Sequence, residues 1–207
     1  WNKKEFSKAK GLHGRTLGVI GFGGIGKEVV NRGKAFGMNI VVWSRSLTEE
    51  LATELEINRC DSLLNVAKMS DVVSIHIASN PETEHLIDAT FLQAMKDGAI
   101  LVNTSRGKVI DEEALVDAVK EKHLCVGLDV YQNEPSSGDT GFSPEIVSQP
   151  CVYGTHHVGA STEQAQDAIA MEAVRIISTY IQSGEVLNCV NRAKSTPAKA
   201  ILSIRHL

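Results

Sequence analysis

The run Thr16-Leu17-Gly18-Val19-Ile20-Gly21-Phe22-Gly23-Gly24-Ile25-Gly26 constrains the fold more than any other stretch of the chain. A five-residue apolar segment passes without a linker into glycines spaced as G-x-G-x-x-G, and Lys27-Glu28-Val29-Val30 continues with helical periodicity. Strand, glycine turn and helix in that order meet the needs of a dinucleotide site. Gly21 serves the tight turn, Gly23 lets backbone approach a pyrophosphate, and Gly26 lets helix and strand pack closely. The backbone N–H groups of Gly24 and Ile25, at the positive end of the helix, are placed to hold the phosphates.

The rest of the chain repeats that alternation. Short apolar runs at 16–20, 40–43, 72–77, 99–103, 126–131 and 151–155 read as strands, apolar on both faces as strands covered from both sides must be. Amphipathic stretches at 25–36, 48–55, 62–68, 111–122 and 162–183 read as helices. Asp111 suits an N-cap, Ser161 or Thr162 another, and Gly184 the C-terminal stop of the last helix. The expected fold is α/β, a doubly wound (Rossmann) and mostly parallel sheet in two mononucleotide halves, 16–77 and 99–155. Residues 1–184 are read as the dinucleotide-binding domain, 185–199 as a linker, and 200–207 as the first strand of a further C-terminal domain.

Hydrophobic residues make up 43% of the chain and the net charge is −4 with no block of like charges, so there is no electrostatic case for nucleic acid or an anionic membrane as partner. No apolar run reaches transmembrane length and residues 1–5 resemble no targeting peptide, so a soluble cytoplasmic protein is expected. Cys60, Cys125, Cys151 and Cys189 lack C-x-x-C spacing or a partnering His pair; they are read as buried or inert free thiols, with no metal site.

An NAD site usually ends its second strand on Asp or Glu, which bonds the ribose 2′-hydroxyl. Here the segment is Trp43-Ser44-Arg45-Ser46. Two readings stand side by side: Arg45 and the two hydroxyls bind the 2′-phosphate of NADP, or Arg45 is a solvated surface residue and Ser44 bonds the ribose of NAD.

Three polar residues follow successive strands of the second half, where such sheets open their ligand crevice. Arg106 lies in Asn103-Thr104-Ser105-Arg106-Gly107, Glu134 follows Leu128-Asp129-Val130, and His157 precedes Val158-Gly159. Imidazole can take the proton of a secondary alcohol and return it to a carbonyl near neutral pH. A carboxylate on its other nitrogen fixes the tautomer, the role read for Glu134. An arginine fork matches the carboxylate and carbonyl oxygens of a 2-oxo acid, the role read for Arg106. Each has a bland alternative: Arg106 an exposed loop cation, Glu134 a solvated acid before a proline, His157 a hydrogen-bonded loop residue.

Gly21 to Gly26, Asn103 to Gly107, Leu128-Asp129-Val130 with Glu134-Pro135, and His157-Val158-Gly159-Ala160-Ser161-Thr162 together resemble the D-2-hydroxyacid dehydrogenases, over about residues 1–190. The resemblance implies an NAD(P)-dependent oxidoreductase acting on a small 2-hydroxy acid, with Arg106, Glu134 and His157 catalytic. It implies that Asp129 contacts the nicotinamide carboxamide, and that Thr104, Ser105 and the turn of His157, Val158, Gly159 and Ala160 line the cofactor. His156 stands where the family commonly has proline; of the two imidazoles, His157 is chosen because Val158-Gly159 follows it in register. Gly159 to Gln166, Asn188-Cys189-Val190-Asn191 and 200–207 resemble the phosphoglycerate dehydrogenase branch, which implies oxidation of 3-phospho-D-glycerate in serine biosynthesis and a homodimer or tetramer. It also implies that the substrate domain is largely absent from this chain, that 185–199 returns toward it, that the last strand opens a regulatory domain, and that the 207 residues alone turn over little. Two rival readings are a glyoxylate or hydroxypyruvate reductase, and an NAD(H)-sensing corepressor-like binding protein of the same family.

Overall fold

Leu17, Val19 and Ile20 are buried in the strand Thr16–Ile20 (β1), which therefore lies inside the sheet and not at an edge. In the computed structural model, which describes residues 4, 9, 11–135 and 141–189, β1 is followed by Asn39–Trp43 (β2), Asn58–Arg59 (β3), Val72–Ile75 (β4), Ile100–Asn103 (β5), Cys125–Leu128 (β6) and Val152–Gly154 (β7). The sheet order is β3-β2-β1-β4-β5-β6-β7, and every neighbouring pair is parallel. The chain reverses direction of winding between β1 and β4, the switch point at which a crevice opens beyond the strands' carboxyl ends.

Alternation of side chains along each strand divides the core in two. Leu17, Val19, Ile40 and Val42 pack on one face with Val30 of Gly24–Ala35 (α1) and Ala52 of Glu49–Glu54 (α2). Ile20, Val41, Val73, Ile75, Leu101 and Val126 pack on the other with Leu63–Met69 (α3), Ala89–Ala94 (α4) and Glu112–Lys122 (α5). Asp111 caps α5, its carboxylate accepting from Ala114 N–H at 3.1 Å.

Two elements had no counterpart in the sequence reading. β3 is two residues long and carries no apolar run; α4 is a single capped turn and a half, with Asp88 accepting from Phe91 N–H at 2.8 Å. Three strands also end earlier than read: β4 at Ile75, β6 at Leu128 and β7 at Gly154. In each case the chain leaves the sheet at its carboxyl end, and the residues freed line the site described below.

Two units are distinguished, Trp1–Gly159 and Ala160–Leu207. The boundary precedes the helix Glu163–Ser183 (α6), which the sequence reading assigned to the first domain; none of its residues is buried. Of its two candidate caps it uses Thr162, whose hydroxyl accepts from Ala165 N–H at 3.2 Å, and it stops at left-handed Gly184 (φ 74°). The strand expected at 200–207 and most of the linker expected at 185–199 lie outside the described residues. No helix among the described residues is long and apolar enough to cross a membrane. All four cysteines are free thiols, as expected; Cys60 is buried and Cys125 half-buried, whereas Cys151 and Cys189 are exposed. Cys151 sits just before β7, the edge strand of the sheet among the described residues.

Candidate active site

The glycine turn closes on itself between β1 and α1. Gly21 has φ +97°, and a Cβ there would lie 2.3 Å from the carbonyl oxygen of His76; one on Gly26 would lie 2.2 Å from the oxygen of Gly21. At Gly23 and Gly24 a Cβ would meet nothing within 4 Å. Backbone is thus bare on the open side of the turn. α1 starts at Gly24 with no side-chain cap and no acid in its first turn, leaving its first N–H groups and positive dipole end to an anion. These features fit a dinucleotide pyrophosphate.

Two cavities flank the turn. One, of about 260 Å³, is lined by Gly21, Gly23, Ser44, Arg45, His76 and Thr83 among others. The other, of about 370 Å³, is lined by Ile25, His76, Ala78, Thr104, Ser105 and Arg106 among others. Both share His76–Ala78, so a continuous cleft runs from the end of β2 past the glycines to the end of β5. Ile25, 69% exposed, offers it an apolar surface. His76 donates to or accepts from Ser74 Oγ at 2.8 Å, and burial holds its pKa below the usual value.

At the β2 end, both readings of Ser44-Arg45-Ser46 considered that segment alone, and the structure adds a residue from outside it: Arg45 Nη1 is paired with Glu82 Oε2 at 2.5 Å. Glu82 comes from the loop after β4, where its N–H donates to Asn80 Oδ1 at 2.9 Å and the Thr83 hydroxyl donates to Ala78 O at 2.7 Å. Ser44 and Ser46 hydroxyls lie 3.2 Å apart beside it. This contact brings a carboxylate to Arg45 from a loop 37 residues away.

At the other end, Asn103 closes β5 and shapes the Arg106 loop. Fully buried, it donates from Nδ2 to Arg106 O at 2.9 Å and accepts from Ser105 N–H at 3.0 Å and Ser105 Oγ at 2.8 Å. Gly107 brings this loop against the one after β6: a Cβ there would sit 1.9 Å from the carbonyl carbon and oxygen of Tyr131. The Arg106 side chain is exposed and donates to Ser105 O at 2.6 Å.

The loops after β6 and β7 meet through Asp129, which is 5% exposed. Its Oδ1 accepts from the Thr155 hydroxyl at 2.5 Å and Val158 N–H at 2.9 Å, and its Oδ2 from Gly159 N–H at 2.9 Å. Burial pushes its pKa up, but these three donors and the nearby His157 outweigh it, and the net shift is downward. The carboxylate so held stabilises a turn in which His157 adopts the left-handed region, φ +56°. There His157 Nδ1 lies 2.7 Å from Glu134 Oε1, while Glu134 Oε2 accepts from Tyr131 N–H at 3.2 Å. His157 Nε2 has no partner among the described residues. His156 is exposed and makes no such contact.

Ser44, Arg45, Thr104, Ser105 and Arg106 therefore share one cleft with the glycine turn, and Asp129, Glu134, His157, Val158 and Gly159 form one cluster at the adjoining strand ends. No direct contact joins Arg106 to the His157–Glu134 pair among the described residues. Ala160 falls in the second unit, where its carbonyl accepts from Gln166 Nε2 at 2.8 Å. Glu82, Asn103, Gly107 and Thr155 were not singled out from sequence. Only position hinted at them: Asn103 and Thr155 sit at strand ends, whereas the Glu82 contact spans 37 residues.

A family profile described as "D-isomer specific 2-hydroxyacid dehydrogenase, NAD binding domain" matches residues 1–159. "D-3-phosphoglycerate dehydrogenase 1" of Saccharomyces cerevisiae is 36% identical over 200 residues, covering 92% of this chain and 42% of that protein. "Hydroxypyruvate reductase" of Thermotoga maritima is 42% identical over 178 residues, covering 86% of this chain and 56% of that one. The crystal structure of a glyoxylate reductase from Paecilomyes thermophila superposes with a TM-score of 0.75 at 38% identity, over 86% of this chain and 52% of that chain. The chain thus spans about half the length of the relatives it matches.

Proposed function

The chain belongs to the D-isomer specific 2-hydroxyacid dehydrogenases, as an NAD-binding domain of that family, and from that premise we propose that the protein oxidises 3-phospho-D-glycerate to 3-phosphohydroxypyruvate. The observation that carries the dehydrogenase reading is the His157 Nδ1 to Glu134 Oε1 contact at 2.7 Å, at the strand ends next to a bare glycine turn. With Nδ1 engaged by the carboxylate, Nε2 is the atom that accepts the substrate hydroxyl proton, and Glu134 stabilises the imidazolium that results. Bound NAD supplies the hydride acceptor for the substrate's C2 hydrogen. The Arg106 guanidinium pairs with the substrate carboxylate and orients C2 toward the cleft. Gly21, Gly23, Gly24, Ile25 and Gly26 would hold the cofactor's phosphates, Ser44 its ribose, and Thr104, Ser105, Val158 and Gly159 its nicotinamide half.

The Glu82–Arg45 pair favours NAD over NADP, because a 2′-phosphate would have to displace a carboxylate at 2.5 Å from the only cation lining that pocket among the described residues. A second reading, reduction of hydroxypyruvate or glyoxylate, is favoured by the 42% identity to the Thermotoga maritima hydroxypyruvate reductase. Steady-state rates of the intact protein with 3-phosphoglycerate and NAD, against hydroxypyruvate and glyoxylate with NADH, separate the two. His157→Gln should abolish turnover on the true substrate while leaving NADH binding within about twofold of wild type. Retained turnover in that variant would remove the mechanism, and silence on every 2-hydroxy and 2-oxo acid would remove the enzyme reading.

A further inference from the structure

At the end of the sheet away from His157, the first residue of β6 and the residue before β7 bring two cysteines to neighbouring positions. Val126 is paired with Val152, and Val126 N–H donates to Cys151 O at 2.9 Å. Cys125 and Cys151 therefore stand one residue before the first paired position on neighbouring parallel strands. Such strands lie about 4.8 Å apart, within the Cα separation a disulfide spans, roughly 4.4–6.8 Å. The Cys151 thiol is near enough to Cys125 to act on its titration. Cys151 is exposed, at a left-handed position (φ 60°) on the approach to the edge strand, and Cys125 is half-buried beneath it. At about 3.3 Å of rise per strand residue, this pair lies roughly 10 Å from the strand ends that carry Asp129 and Thr155, and the chemistry proposed above makes no use of it.

We propose that Cys125 and Cys151 are a redox-active dithiol, a modification site that closes to an intrachain disulfide with hydrogen peroxide or a low-molecular-weight disulfide as the oxidant. Cys151, the accessible sulfur, reacts first. With peroxide its thiolate attacks one oxygen, the O–O bond breaks, hydroxide leaves as water on taking a proton, and Cys151 becomes a sulfenic acid. Cys125 sulfur then attacks Cys151 Sγ, the S–O bond breaks, and a second water leaves. Two thiols and one peroxide give one disulfide and two waters; the two electrons pass from sulfur to oxygen. With a small disulfide, Cys151 forms the mixed disulfide and Cys125 displaces the second small thiol. Cys125 is the weaker first nucleophile, because burial first, and the Cys151 thiol next, push its pKa up, while the Arg15 guanidinium nearby acts in the opposite sense. The bond ties β7, the strand that leads to His157, to β6, and closes a loop containing Asp129 and Glu134.

The site is tested on the whole protein by mass spectrometry after peroxide treatment and alkylation of remaining thiols. No Lys or Arg separates Cys125 from Cys151, so trypsin leaves both in one fragment, residues 123–175, which should be lighter by two hydrogens and free of alkyl groups. Cleavage after Glu145 should leave its two halves joined until reductant is added. Cys125→Ser should instead trap Cys151 as a sulfenic acid or mixed disulfide, Cys151→Ser should leave Cys125 alkylatable, and Cys189→Ser should change nothing. Independently of any oxidant, phenylarsine oxide should bridge the two sulfurs of the wild type with release of one water, and fail in either single variant. Alkylation of both residues after oxidation, or a disulfide from either to Cys60, Cys189 or a second molecule, would overturn the assignment, as would failure of the arsenical to bind.

Discussion

Asp129→Asn tests the claim that one buried carboxylate holds the catalytic turn. The wild-type side chain accepts three hydrogen bonds, from the Thr155 hydroxyl and from the N–H groups of Val158 and Gly159. An amide has one oxygen. If that oxygen keeps Thr155 and Val158, its NH2 faces the Gly159 N–H at 2.9 Å; turned over, it faces the other two donors. At least one charge-assisted bond, worth about 1.5–3 kcal/mol, is lost, and the others fall to neutral strength. A total near 3 kcal/mol reaches the upper end of the roughly 1–3 kcal/mol that a left-handed non-glycine residue such as His157 costs, so the turn should relax away from φ +56°. At about 1.4 kcal/mol per factor of ten, turnover should fall about 100-fold. Calorimetry and steady-state kinetics with varied NAD on the intact protein give the answer. A turn-holding role lowers kcat and Tm together and leaves the KM for NAD nearly unchanged. If instead Asp129 acts only by touching the nicotinamide carboxamide, the KM for NAD rises and Tm stays put, and the reasoning is refuted. Its pH signature has a definite sign. The folded-state pKa lies below 3.8, so the carboxylate's stabilisation is complete above pH 3.8 and is lost as pH falls below it, a slope the Asn variant should lack.

Glu82→Gln should raise affinity for NADPH by about tenfold at low salt with little change for NADH, read by fluorescence titration; an unchanged ratio would remove Glu82 from cofactor selection. Gly107→Ala forces a Cβ onto Tyr131 backbone, which cannot rotate away, so a loss of about 3 kcal/mol in denaturant unfolding is expected, with turnover lost as the Arg106 and Glu134 loops part; wild-type stability would show that the loops do not touch. His76 is half-buried with its pKa lowered by that burial, so the unfolded chain takes a proton first as pH drops below 6.5, and stability should decline there. His76→Gln should flatten that decline, measured by urea midpoints at several pH values. The Ser70 hydroxyl is fully buried with no partner, and Ser70→Ala should leave stability unchanged or raise it by about 1 kcal/mol; a clear loss of stability would reveal a partner.

What residue order determined by itself was everything governed by short-range rules. The glycine turn was legible because strand, turn and helix are adjacent in sequence and each glycine answers a local steric demand. Five of the helices and six of the strands were legible because their apolar residues form runs or periods of at least three residues, long enough for a pattern to register. β3 and α4 are too short for that, and the loop following α4's partner strand β4 carries no pattern at all.

Tertiary structure alone decided which polar side chains meet. Nothing local places Glu82 on Arg45 or Asp129 under the amides of Val158 and Gly159, because those contacts span 37, 29 and 30 residues and follow from strand order. The same holds for Cys125 and Cys151, ordinary apolar-run cysteines in the sequence, made neighbours by the parallel register of β6 and β7. Periodicity reports burial, which each residue carries with it; pairing depends on how the sheet is ordered, and that is a property of the whole chain.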